Sequence, residues 1–167
     1  GCAFRSAPAA GRGHMTSESQ RVHYATFPPT SGTHHPTPAV WDTYTHPVDP
    51  RQAVHNLEHG AIVIWYGLAL SAAERSRLDD FYNERPNGIL ISPLQDPSPG
   101  VVYPKHERLG ARIALTAWTA PRRSPDKGTT YIAVCPRVDL DAFRAFRDAF
   151  LGRGPERIPV SQLRPGS

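Results

Sequence analysis

No stretch of this chain approaches the roughly 18 consecutive apolar residues that a membrane-spanning helix needs, so no such helix is expected. Lysine is almost missing: only Lys105 and Lys127 interrupt an otherwise arginine-only set of basic residues. The formal charge of +4 arises wholly beyond residue 60, because residues 1–60 hold four Arg and four acidic side chains. There is no basic run and no basic helix with interleaved aromatics, so a nucleic-acid partner is not expected. The two cysteines, Cys2 and Cys135, are too few for a disulfide framework. Cys135 reads as a small buried residue at the end of a strand, with no histidine placed beside it as a catalytic partner. A glycine-rich phosphate loop and a nucleophilic serine motif are also missing.

Histidine is in surplus, and it is lopsided. Seven of the eight (14, 23, 34, 35, 46, 55 and 59) fall in the first 59 residues. Metal binding is the simplest cause of that clustering. A chain of 167 residues suits one domain with a real core. Its start, Gly1-Cys2 followed by a small, Pro/Ala/Gly-rich tract, resembles the end of a bacterial lipoprotein signal, whose cysteine carries the lipid. A boundary without that meaning is the other reading. On the first, the protein is extracytoplasmic (cell surface or periplasm), with a lipid anchor at Cys2 as its membrane attachment.

The central stretch is Asp49-Pro50-Arg51-Gln52-Ala53-Val54-His55-Asn56-Leu57-Glu58-His59-Gly60. Asp49 caps the first backbone N–H groups, Pro50 suits the first helical position, and Gly60 ends the helix in the left-handed conformation. His55 and His59, four apart, share one helix face and can converge on one ion, with Glu58 at its edge. Upstream, Phe27-Pro28-Pro29-Thr30-Ser31-Gly32-Thr33-His34-His35-Pro36 is a stiff loop that fixes His34. Pro36 keeps His35 out of the helical region, so the two rings diverge. His14 is the fourth candidate, and His23, His46 and His106 read as surface residues. Trp41 and Tyr44 read as core or lid.

Residues 1–13 lack periodicity and read as a flexible tether; 14–155 form the domain, and 156–167 a loosely ordered tail. Residues 61–66 are a buried strand. Ser71-Ala72-Ala73-Glu74 is a capping box opening a helix over 71–84. Strands follow at 89–91, 111–118 and 131–135. Leu140, Phe143, Phe146 and Phe150 mark the apolar stripe of a last helix, with Arg144, Arg147 and Asp148 toward water. This order predicts an α+β fold: a small, mostly antiparallel sheet with helices on one face, preceded by a His/Pro-rich loop layer.

The elements Gly11-Arg12-Gly13-His14, Pro28-Pro29-Thr30-Ser31-Gly32-Thr33-His34, Trp41-Asp42-Thr43-Tyr44 and His55-Asn56-Leu57-Glu58-His59-Gly60 resemble DUF3105, a bacterial domain family of unknown function. The resemblance covers about residues 11–120, and it implies an exported or membrane-anchored protein. Thr33 stands where the family has Pro, and Asp42 where it has Gly.

Together these readings predict a mononuclear transition-metal site on His14, His34, His55 and His59. Copper is favoured, with zinc next and Fe(II) also suited. The alternative is a metal-dependent enzyme, an oxidoreductase or hydrolase, using an open coordination position for a small-molecule substrate. Glu58 is its candidate catalytic group, since His-x-x-Glu-His also matches the inverted zinc-protease motif, in which the Glu activates a bound water.

Overall fold

The computed structural model describes residues 1–167 and is α+β. Its elements are β1 (Ala3–Pro8), β2 (Val22–His23), α1 (Pro50–Glu58), β3 (Ile62–Tyr66), α2 (Ala72–Glu84), β4 (Ile89–Pro93), β5 (Val101–Val102), β6 (Ile113–Thr119), β7 (Thr129–Cys135) and α3 (Leu140–Phe150). The main sheet has the order β1-β7-β6-β3-β4, antiparallel except between β3 and β4, and β2 pairs with β5 in a small second sheet. No helix is long and apolar enough to cross a membrane.

Strand alternation sorts the core into two layers. Ile62 and Ile64 of β3 meet Leu78 and Phe81 of α2 and Phe143 of α3 on one face. Val63 and Trp65, on the other face, meet Val54 and Leu57 of α1 together with Phe27 and Trp41 from the loop layer. The His/Pro-rich first third therefore packs on the sheet opposite α2 and α3. Met15 is buried in the same layer. Both ends of α1 follow the sequence rules. Asp49 accepts from the Arg51 N–H at 2.9 Å, and Gly60 has φ +97°.

Four expectations are overturned. The expected tether is an edge strand: Ala3–Pro8 pairs antiparallel with β7 from Ala3↔Val134 to Pro8↔Thr129. Five of its six residues are exposed, so it has no buried face to mark it. The cysteines, expected to be unlinked, form a Cys2–Cys135 disulfide across 133 positions. With its sulfur in that bond, Cys2 has no thiol for a lipid thioether, so the disulfide and an anchor at Cys2 are mutually exclusive. The expected loose tail is packed. Val160–Gln162 is a 3₁₀ turn, Leu163 is buried, and Trp41 exchanges backbone hydrogen bonds with Gly166 and Ser167. Arg147, expected to face water, is also buried. Its guanidinium lies over the Phe81 ring and pairs with Glu84 and Asp148.

Burial of phenols gives the fold an alkaline limit. Desolvation raises Tyr24 and Tyr103 above their ordinary 10.0 and pushes Tyr82 up to about 12. The Tyr82 and Tyr103 hydroxyls have no hydrogen-bond partner. Above pH 10 the unfolded chain releases phenolic protons that the folded chain keeps, so it binds fewer protons and stability falls as pH rises. Thermal melts should show a midpoint falling between pH 10 and 12, with a smaller fall in Tyr82→Phe. Coincident midpoints across that window would refute this assignment.

A candidate metal centre

Three segments, around His14, around His34 and α1 itself, meet at the C-terminal end of α1. His14, His34, His55 and Glu58 each offer one ligand atom, and those atoms all lie within 4.8 Å of one another. The three imidazoles form a near-equilateral triangle, with ring centroids 4.9 Å (His14–His34), 5.0 Å (His34–His55) and 5.3 Å (His14–His55) apart. Trp118 lies edge-on to His34 at 6.3 Å and gives the site an apolar wall.

The backbone fixes two of the rings. His34 N donates to Gly13 O at 3.0 Å and Met15 N to His34 O at 2.8 Å, a parallel bridge that holds His14 beside His34. His34 Nδ1 donates to Gly32 O at 2.8 Å, and His55 Nδ1 to His35 O at 2.7 Å. A carbonyl oxygen can only accept, so both neutral rings carry their proton on Nδ1 and present Nε2 as a lone pair. This is the state in which imidazole binds a metal. Burial lowers His55 and His59 from their ordinary 6.5, against the opposing pull of the His35 carbonyl and of Glu156 respectively. Both rings thereby stay neutral further into acid.

Glu58 is buried and held by Arg12, whose Nε donates to Oε1 at 2.8 Å; Arg12 Nη1 also reaches Asp126 at 3.4 Å. Burial alone would raise the Glu58 carboxyl, and the hydrogen bond and charge of the Arg12 guanidinium pull it the other way. Glu58 Oε2 lies 3.0 Å from His34 Nε2, yet the two are not aligned for a hydrogen bond, and neither has any other partner. Buried polar atoms are almost always paired. Two buried atoms facing each other across 3.0 Å without a partner could hold a cation between them. Ligands of a tetrahedral ion with bonds of about 2.1 Å sit about 3.4 Å apart, so a contraction of the widest contact completes the fit. The exposed His14 can supply that movement. The cluster can therefore hold a metal ion.

The sequence named His14, His34 and His55 as ligands, and the structure brings all three together. His59, expected to share the ion with His55, lies one step outward: its Nε2 is 3.0 Å from His55 Nε2 and 3.0 Å from Glu156 Oε2. Glu58 takes the inner place instead. Both residues share the helix face, and Arg12 draws Glu58 inward while Glu156 draws His59 outward. His35 diverges from His34 as expected and meets Glu18 at 2.6 Å near the surface. His23, His46 and His106 are exposed. Sequence reasoning missed Arg12, Asp126 and Glu156. Arg12 alone had a signal, lying inside the Gly11-Arg12-Gly13-His14 element.

Glu156 depends on two close approaches. Gly152 N donates to Gly60 O at 2.8 Å and Glu156 N to Glu58 O at 3.0 Å, which straps the segment after α3 onto the end of α1. A Cβ on Gly154 would lie 2.5 Å from both Glu58 O and Gly60 N, so only glycine fits there.

The family model described as "Protein of unknown function (DUF3105)" matches residues 14–156. No curated protein and no solved structure matches the chain.

Proposed function

Because the chain belongs to the DUF3105 family, whose description carries no activity, its function is read from its site: we propose that it binds a transition-metal ion through His14, His34, His55 and Glu58. One observation carries this reading: the buried His34 Nε2 and Glu58 Oε2 face each other without partners. Three neutral imidazoles and one carboxylate are borderline and hard donors. By the general affinity order they favour Cu(II), then Zn(II), with Fe(II) also suited. Met15 packs in the core and both cysteines are in the disulfide, so the donor set contains no sulfur. We place the protein outside the cytoplasm. What supports this is the Cys2–Cys135 bond, since cytosolic thiols are kept reduced.

A second reading, metal-dependent catalysis, is favoured by the exposure of His14, which opens the ion's coordination sphere toward solvent. Bound metal would supply Lewis-acid or redox chemistry there. In that reading Glu58 serves as a ligand rather than as the base that activates water, because Arg12 holds Oε1 and Oε2 faces the ion's place.

Elemental analysis of the purified protein, beside a folded His34→Gln variant, tests the site. Stoichiometric copper, zinc or iron in the wild type, lost in the variant, is the expected result. A wild type that carries no metal and takes up none on addition refutes the reading.

A further inference from the structure

β3 begins just after Gly60, beside the candidate metal centre, and its other end opens on a separate cavity of about 210 Å³. β3 and β4 form the parallel pair of the main sheet, and the chain leaves both at this end, after Tyr66 and Pro93. Crevices beyond the carboxyl ends of parallel strands are where open α/β sheets take their ligands. Three backbone contacts hold the walls. Leu94 N donates to Tyr66 O at 2.9 Å, Gly67 N to Arg112 O at 3.0 Å and Ala69 N to Gly110 O at 3.0 Å. Walls tied in this way are formed before any ligand arrives.

The lining is apolar apart from one pair of opposite charges, Asp96 and Arg108. Leu68, Leu94 and Leu109 supply the apolar side, and Leu68, at 68%, is the most exposed of the large hydrophobic residues. The Asp96 side chain is 8% exposed, and its Oδ2 is enclosed without a hydrogen-bond partner. His106 Nδ1 and Arg108 Nε each stand 4.0 Å from that oxygen, beyond hydrogen-bond reach. Both of these side chains are exposed, at 69% and 68%, and exposed side chains change rotamer freely, so the oxygen can be uncovered. An enclosed charged oxygen without a donor is costly. Water fills such a place poorly, because it needs two to four polar partners and the leucines offer none.

We propose that this cavity binds a small zwitterion, an α-amino acid with a short aliphatic side chain. Its ammonium group serves Asp96 Oδ2, its carboxylate meets the Arg108 guanidinium, and its side chain covers Leu68, Leu94 and Leu109. The charges match in order as well as in sign, with Asp96 buried inside and Arg108 exposed at the mouth. A cavity of about 210 Å³ falls below the roughly 300–1,000 Å³ of drug-sized pockets, which limits the ligand to about the size of leucine. None of the lining residues belongs to the candidate metal centre, so the two sites stand or fall separately.

Calorimetric titration of the purified protein with L-leucine, isoamylamine and isocaproate separates the parts of the ligand. Leucine should bind, isoamylamine at least about tenfold more weakly and isocaproate not detectably, since a hydrogen bond to a charged group is worth about a factor of ten or more. Asp96→Asn should abolish leucine binding, and Arg108→Ala should weaken it at least about tenfold. Arg108→Ala alters only an exposed side chain, so it keeps the test readable if Asp96→Asn does not fold. A wild type that binds no leucine overturns the proposal, as does leucine binding that the variants retain in full. Isoamylamine or isocaproate held as tightly as leucine overturns it too, because Arg108 or Asp96 would then hold nothing.

Discussion

A Cys2→Ser variant should melt well below the wild type, because the disulfide it removes closes a loop of 133 positions. A cross-link over so long a loop is worth about 4–5 kcal/mol by loop-closure entropy. That corresponds to roughly 10–20 °C in melting temperature for a chain of this size. The loss should also reach the candidate metal centre. β1 runs on into the segment that carries Arg12 and His14, and that segment is tied down by Ala9 N to Gly128 O, Ala10 N to Ser31 Oγ and Gly32 N to Gly11 O. Loosening β1 therefore loosens one ligand and the arginine that orients another. Thermal melts of Cys2→Ser, Cys135→Ser and the wild type with and without reductant would test this, with the three thiol forms expected to coincide. If they melt with the oxidised wild type, the cross-link contributes nothing in solution.

Glu58→Gln should separate ligation from scaffolding. The substitution keeps the shape of the side chain and an oxygen for Arg12, but it removes the charge that a divalent ion requires. Metal affinity should fall by at least about 100-fold, beyond the 10–100-fold typical of residues that merely support a ligand. The melting temperature of the metal-free protein should change far less, because Arg12 is part-exposed and retains Asp126. The opposite pattern, a large loss of stability with affinity intact, would make the Arg12–Glu58 pair a structural clamp. The wild type should in addition be stabilised by added metal, since an ion that binds only the folded chain shifts the unfolding equilibrium.

The parts of this fold that were legible in the sequence are those whose causes are local. Asp49, Pro50 and Gly60 delimit α1 by capping chemistry alone, and the Leu140, Phe143, Phe146 and Phe150 spacing fixes the buried face of α3. The site was legible so far as helix periodicity and stiff loops reach, which is how His34 and His55 could be named. The exchange of Glu58 for His59 was not legible. Both lie on one face of α1, and the choice between them is made by Arg12 and Glu156, which sequence spacing does not connect to the helix. β1 was hidden for a different reason. An exposed edge strand has no buried face, so it leaves no alternating pattern, and the Cys2–Cys135 pairing was hidden with it. Arg147 shows the limit of polarity as a guide, since its guanidinium is buried against an aromatic ring and two carboxylates.

The pairing of β1 with β7 also sets an order in time. β1 is made first, while its partner Thr129–Cys135 is among the last elements to emerge from the ribosome. Until then Arg12 and His14 have no sheet to anchor them, and Glu156, which lies later still, does not exist. A nascent chain can carry His14, His34, His55 and Glu58 long before the strand that anchors β1 has been made. Contacts of such wide sequence separation form slowly even in the finished chain. Assembly of the candidate centre is thus a late event, and an ion held there would certify a molecule in which β1 and β7 have already paired.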